Sequence, residues 1–327
     1  MTHHPSLRRI FVTVIMFAAL IAVIVMVVPW KNTIESRLKD FLTAQGLSDV
    51  QLTVAFVGMH AINLRDVSFH KLPDITVTSD EASLQGNLNW QEKKEQGTWS
   101  VRNLRVKGMG ADDLIANGMG DFIATQEQIT VIGQFTSTDK SVTSHFRYDG
   151  LLKDTDTSRL NIIDAIMPWN GGKVSVKNIA VPLDGKQNIK IPLRVAHVNL
   201  RDVLQQLTGK TTEATGAISG VLPVTLTPDG VITINAGQLA AEAAGVIALP
   251  PDTIPGDNEQ VALARDVLKN FHYKMLSIDV NQAEGNKLSV LLKLEGQNPD
   301  VLEGRPTKLN VHLTGDVLNL FTQNMML

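Results

Sequence analysis

The chain has 327 residues, a formal net charge of -3 and no cysteine. Near-neutral charge provides no global field for nucleic acid or a polyanionic substrate, and the missing thiols exclude disulfide staples, thiolate zinc sites and thiol catalysis. The eight histidines are scattered with no pair at helical ligand spacing, so neither metal nor cofactor is expected.

The first element is Ile10 to Val28, an uncharged run of 19 residues. As a helix it is about 28 Å long, which matches a bilayer core of roughly 30 Å and predicts a single transmembrane span. Arg8 and Arg9 before the run favour a cytoplasmic N-terminus, although Lys31, Arg37 and Lys39 after it weaken the asymmetry. Trp30 is placed as an interfacial collar. A cleaved signal peptide is the alternative; the length of the run and the lack of a small-x-small site in "VVPWKN" argue against it. The expected organisation is a cytoplasmic stub and anchor over 1–30 and a β-rich region outside the cytoplasm from 31 onward.

"TIESRLKDFLTAQGL" puts Ile34, Leu38, Phe41 and Leu42 on one helical face and stops at Gly46, which predicts a short amphipathic exit helix. The period then changes to two. Leu52, Val54 and Phe56 alternate with polar neighbours, and "NLRDVSF", "DITVTS", "SLQGNLNW", "WSVRNLRVKG", "QITVIGQF", "SVTSHFRY", "GKVSVKNIAVPL" and "NIKIPLRV" read as short strands. In the last, Ile189, Ile191, Leu193 and Val195 share one face, with Asn188, Lys190, Pro192 and Arg194 on the other.

"VNLRDVLQQLTG" predicts a small helix with Asn199 as N-cap and Gly209 as stop. A strand through Leu222, Val224 and Leu226 follows, with a turn at Pro228, Asp229 and Gly230 and a return through Ile232 and Ile234. "QLAAEAAGVIAL" reads as one further strand, Asn258 to Asn270 as a helix, and "PPDTIPGDN" as the one plausible linker. Near the end, Leu288, Val290, Leu292 and Leu294 form one dry face, with Leu291 out of step, and Leu309, Val311 and Leu313 form another across a polar hinge.

The tempting catalytic motifs fail. "TGKT" at Thr208 to Thr211 ends like a phosphate-binding loop, but Leu204 stands where the first glycine is required. "DTDTS", Asp154 to Ser158, starts like a calcium loop, yet Arg159 and Ala165 occupy the sixth and twelfth positions. The glycines of "KGMGADD" and "NGMGD" lack dinucleotide-fold spacing and are expected in turns. No triad, zinc helix or carboxylate pair is visible, so no enzyme is expected. A dianion carrier is excluded too, because one span without an ionisable residue offers no polar path. The alternation itself fits either a closed β-sandwich or an open curved sheet whose dry face is covered by acyl chains, and periodicity alone does not separate them.

The C-terminal third carries more information. "TGAISGVLPVTL", "INAGQLAAEAAGVIAL", "LKNFHYKMLSIDV" and "LKLEGQNPDVLEGRPTKLNVHLTGDVLNLF", in that order, resemble the C-terminal region of YdbH-like proteins, within the AsmA-like/TamB group of bacterial envelope proteins. The turn residues Asn298, Pro299, Asp300, Gly304, Arg305 and Pro306 between two alternating strands are its most specific part, and the likeness covers roughly Val198 to Phe321.

The resemblance implies a mostly β fold: an elongated, curved antiparallel groove with a few short helices, reaching from the inner membrane into the periplasm, with a C-terminal groove region over 198–327. It implies conduction of phospholipids between the inner and outer membranes, with no nucleic acid involved. Dry-face residues such as Ile189, Ile191, Leu193, Val195, Leu222, Val224, Leu226, Leu288, Val290, Leu292 and Leu294 are then the groove candidates. Family members are typically several times longer, and about eighteen strands at roughly 4.8 Å each would extend only about 85 Å. The resemblance therefore suggests a small outer-membrane lipoprotein strand-added at Leu309, Val311 and Leu313, unless Val317, Leu318, Leu320 and Phe321 fold back as a lid. Within the hinge, Gly296 and Gly304 are expected to allow reversals and Asp300 to cap the free amides. A lipid-free β-sandwich adaptor or assembly factor is the competing function.

Overall fold

A computed structural model describes residues 47–316, except 59, 71–75, 88–93, 108–113, 126, 152–158, 183–186, 228–231, 255–257 and 284–286, together with Glu35, Ser36, Lys39, Asp40, Leu42 and Thr43. The expected anchor at Ile10 to Val28, the Trp30 collar, the "DTDTS" segment, the turn at Pro228 to Gly230 and the lid residues lie outside the described residues. No helix among the described residues is long and apolar enough to cross a membrane. Of the exit segment, all six described residues are helical; Lys39 Nζ lies 2.7 Å from Glu35 Oε1 one turn away, and Leu42 is buried.

The fold is mostly β, with eighteen strands among the described residues. The chain divides into two compact units. The first comprises Met1–Ile166, Lys177–Ile189 and Thr227–Val231. It is built on β1 (Ser48–Val57), β2 (Ala61–His70), β3 (Thr76–Asn87), β4 (Lys94–Lys107), β5 (Leu114–Thr125), β6 (Gln128–Ser137), β7 (Thr143–Leu151) and most of β8 (Arg159–Trp169). From β1 to β8 each strand pairs antiparallel with the next.

The apolar alternation in this unit changes phase partway along several strands, and particular residues permit it. On β2 the buried side chains are Ile62 and Leu64, then Val67 and Phe69, with Asp66 at φ 52 between the two sets. On β4 the apolar ones are Trp99 and Val101, then Leu104, with Asn103 at φ 50. Short polar side chains tolerate this left-handed backbone and replace lost ladder bonds. Asn103 Nδ2 donates to Asp80 Oδ2 at 2.8 Å, and Asn117 Oδ1 accepts from the Asn103 amide at 3.0 Å. On β3, buried Ser79 donates to the Glu81 and Arg102 carbonyls. "DITVTS" and "SLQGNLNW" are therefore parts of one strand, not two. β8, which the alternation did not single out, is a further strand, and "NGMGD" lies inside β5 rather than in a turn.

The second unit comprises Met167–Val176, Lys190–Leu226 and Ile232–Leu327. Its strands are the start of β9 (Gly172–Pro182), β10 (Ile189–Asn199) from Lys190, β11 (Glu213–Ala214), β12 (Ala217–Leu226), β13 (Ile232–Ile234), β14 (Gly237–Ala241), β15 (Gly245–Ala248), β16 (Phe271–Gln282), β17 (Lys287–Gln297) and β18 (Thr307–Asp316). The ladder runs β9–β10–β12–β14–β16–β17–β18, with β13 beside β12 and β15 linking β11 to β16. "QLAAEAAGVIAL" is two strands, β14 and β15, because the chain breaks at Glu242, whose amide bonds Ala217 O and whose carboxylate is taken by Ser219 and His197.

The two helices predicted among the strands are present: α1 (Leu200–Thr208) and α2 (Glu259–Val267). Asn199 caps α1 by accepting from the Arg201 amide, and Gly209 ends it at φ 65, which a residue without Cβ adopts at least cost. "TGKT" is thus a helix C-cap and not a phosphate loop. Leu200, Val203, Leu204 and Leu207 are all buried, and α1 lies against β18 and β11. Its orientation is fixed by a reciprocal amide pair in which Asn170 Nδ2 donates to Gln206 Oε1 at 3.0 Å and Gln206 Nε2 donates to Asn170 Oδ1 at 3.1 Å.

Candidate functional site: the buried face of the strands

In the second unit the dry face is continuous across strands because the registers align it. Leu239 pairs with Ile278, Ile278 with Leu292, and Leu292 with Val311. Leu276, Leu294 and Leu309 form a parallel row, as do Val280, Val290 and Leu313. Leu288, Val290, Leu292 and Leu294 are at most 1 % exposed; Leu222, Val224, Leu226, Ile191, Val195, Val311 and Leu313 are buried, as is Ile189 in the first unit. Leu193 and Leu309 are half-buried.

The opposite face carries charge. Lys190, Arg194 and Lys308 are exposed, Lys293 Nζ lies 2.6 Å from Asp279 Oδ2, and Lys308 Nζ lies 2.6 Å from Glu295 Oε1. Such pairs hold the wet face in water and contribute little stability each.

The dry face of the first unit has one crowded place. Across the ladder Trp99 pairs with Gly120, Gly120 with Gly133, and Gly133 with Phe146. The two glycines leave a floor without side chains, and the indole lies on it. A Cβ on Gly120 would stand 2.8 Å from Trp99 Nε1, and one on Gly133 would run into Trp99 Cζ2. The indole N–H reaches the Ile132 carbonyl at 3.2 Å. Phe135 likewise covers Gly118, its own register partner. The three rings form one cluster, Trp99 to Phe135 at 5.7 Å and Phe135 to Phe146 at 5.4 Å between centroids, all buried.

On the same face of β4, two residues before Gly97 and four before Trp99, stands a carboxylate. Glu95 is 7 % exposed, its Oε2 has no hydrogen-bond partner, and burial pushes its carboxyl up to about 7. On the wet face Asp149 behaves oppositely. Burial alone would raise its carboxyl, but bonds from Arg147 and Thr130 outweigh that and hold it below the usual range.

Among the described residues no cluster could hold a metal ion, and the one Ser, His and Glu grouping, at Ser219, His197 and Glu242, directs the serine hydroxyl to the carboxylate and not to the imidazole. What the strands offer is an apolar face extended from one strand to the next. The family model for YdbH-like proteins, described as intermembrane phospholipid transport protein YdbH, matches residues 30–326.

The chain belongs to the YdbH-like family. The family is one of intermembrane phospholipid transport, and the match extends well beyond the C-terminal third in which the likeness is legible by eye. No curated protein and no solved structure matches the chain significantly.

In this YdbH-like chain the family turn is organised differently from its sequence expectation. Asn298, not Asp300, closes it: Asn298 Oδ1 accepts from the Asp300 amide at 2.8 Å, and Asn298 Nδ2 donates to the Val267 carbonyl at 2.9 Å and the Asp266 carbonyl at 3.3 Å. Buried Asn298 therefore ties the hairpin to the end of α2. Asp300 instead accepts from Asn270 Nδ2 at 2.7 Å. Gly304 makes the expected reversal at φ 68, with Leu302 and Glu303 also at positive φ. Gly296 does not: it lies within β17, where a Cβ would run into the His272 carbonyl, so close strand approach requires it. Pro299 and Pro306 flank the left-handed turn Leu302–Gly304, and Arg305 pairs with Glu303 at 2.8 Å. The sequence reading missed Trp99, Gly120, Gly133, Phe146 and Glu95. The signal was present in "NGMGD" and "VIGQF", whose glycines sit where an alternating strand would place apolar side chains.

Proposed function

We propose that this YdbH-like chain is a periplasmic groove protein, anchored in the inner membrane by Ile10 to Val28, whose dry strand faces bind and conduct phospholipid acyl chains between the inner and outer membranes. The observation that carries the reading is the register-aligned apolar face within each unit, charged on its reverse, in a member of an intermembrane phospholipid transport family. Each methylene moved from water onto such a face contributes about 0.8 kcal/mol, so an acyl chain is held without a specific polar contact. A small outer-membrane lipoprotein adding a strand at Leu309, Val311 and Leu313 would extend the path.

A second reading, a lipid-free adaptor whose dry faces close on protein, is favoured by one observation. Leu288, Val290 and Leu292 are 0 % exposed, and α1 already lies against β18. Photo-crosslinking side chains at Ile191, Leu193 and Val224, compared with Lys190, Arg194 and Lys308, separate the two. Phospholipid captured at the apolar positions and not at the polar ones supports conduction. Equal capture on both faces, or none, supports the adaptor. Protease digestion of the C-terminal part in spheroplasts tests the orientation.

A further inference from the structure

Glu95 is the one described residue that puts a charge-bearing, unpartnered side chain on the dry face of the first unit. On its own strand that face continues through Gly97, Trp99 and Val101. Glu95 pairs with Ala124 on β5, Ala124 with Ile129 on β6, and Ile129 with Gly150 on β7. None of these neighbours carries a charge; among the described residues on this face, the other titratable group at this end is the hydroxyl of Tyr148, whose side chain lies over Gly150.

The surroundings are also small. Gly86 pairs with Gly97 and Ala124 stands opposite Glu95, so the described register partners around the carboxylate have small side chains or none. A buried carboxylate without a donor is costly, and its ionised form is relieved by a cation that brings both charge and N–H donors. In a protein whose dry faces take phospholipid, the cargo itself offers such a group. The phosphate of every phospholipid would be repelled, whereas the ammonium of an ethanolamine headgroup is complementary.

We propose that Glu95 is a headgroup site that selects phospholipids bearing a primary ammonium over those with an uncharged glycerol headgroup, the acyl chains lying toward Trp99 and Phe122. This rests on the lipid-groove reading, and its test keeps the two apart. Full-length protein in mild detergent is incubated with vesicles containing equal ethanolamine- and glycerol-headgroup phospholipid, re-isolated, and its lipid extracted and counted. Wild type is expected to retain the ethanolamine lipid in roughly tenfold excess. Glu95→Gln, an isostere of the protonated acid, should retain the same total lipid with no preference, and Glu95→Lys should favour the glycerol lipid. An unchanged ratio in Glu95→Gln overturns the headgroup site while leaving the groove standing. No lipid on wild type overturns both. Free ethanolamine that binds the lipid-free wild type but not Glu95→Gln, while the retained lipid shows no headgroup preference, would assign the site to a soluble amine and overturn the lipid assignment.

Discussion

The indole of Trp99 on β4 and the ring of Phe146 on β7 lie 5.9 Å apart, centroid to centroid, although two strands run between them. At about 4.8 Å per strand the backbones of a flat sheet would be roughly 14 Å apart. The indole bridges that distance because both intervening positions, Gly120 and Gly133, are glycine. Gly133→Ala is expected to cost about 1–3 kcal/mol by overpacking and Trp99→Ala about 3–5 kcal/mol by cavity formation. The double variant should cost clearly less than the sum, since the new methyl enters the space the indole has left. Chemical denaturation followed by circular dichroism measures all three; strict additivity would contradict the packing.

The turn at the last hairpin gives a contrast between two residues. Asn298→Ala removes bonds to the Asp300 amide and to two carbonyls at the end of α2, and is expected to lower stability by about 2–3 kcal/mol. Asp300→Ala removes one exposed bond to Asn270 and should cost less than about 1 kcal/mol. The reverse ranking, read from denaturation midpoints, would restore Asp300 as the residue that closes the turn.

Gln206→Leu leaves the buried Asn170 amide without its partner. The expected loss is about 1–3 kcal/mol, with α1 loosened from β18. Hydrogen exchange should quicken at Val203, Leu204 and Leu207 more than at β2 or β3.

Glu95 predicts a pH dependence of definite sign. Its carboxyl has an ordinary value of 4.5 and is raised to about 7 in the fold, so the folded chain keeps a proton that the unfolded chain has lost. The group's stabilising contribution is complete below the ordinary value, declines as pH rises and is gone above neutrality, a range of about 3 kcal/mol at most. Without lipid, Glu95→Gln should melt close to wild type at about pH 5 and clearly above it at about pH 8. Parallel melting curves across that range would mean that the carboxyl is solvated.

Much of the fold is legible in the sequence because a strand with one wet face writes a period of two. Lys287 to Leu294 and Leu309 to Leu313 show it most cleanly, and the caps Asn199, Gly209 and Asn258 mark both helices. Legibility fails where the backbone changes phase. Asp66 and Asn103 switch the buried set from one parity to the other, so their strands look shorter than they are. It fails again where a glycine stands in for an apolar side chain supplied by another strand: Gly118 and Gly120 resemble a turn until Phe135 and Trp99 are placed over them. Glu95 escaped notice because one acidic residue in "EKKEQG" reads as part of a solvated run.

The strand order has a consequence for how the chain comes to be built. From β1 to β8 every ladder joins neighbours in the sequence, so a polypeptide emerging N-terminus first can lay each new strand on the one already delivered. The second unit cannot be assembled that way. α1 is synthesised before β12, yet one of the surfaces that buries it is β18, roughly a hundred residues later. During synthesis, Leu200, Val203, Leu204 and Leu207 therefore lack part of their final cover until the last hairpin arrives. A chain stalled or cut before Thr307 should present an oily helix to chaperones and proteases, while the strands from β1 to β8 are already closed to them.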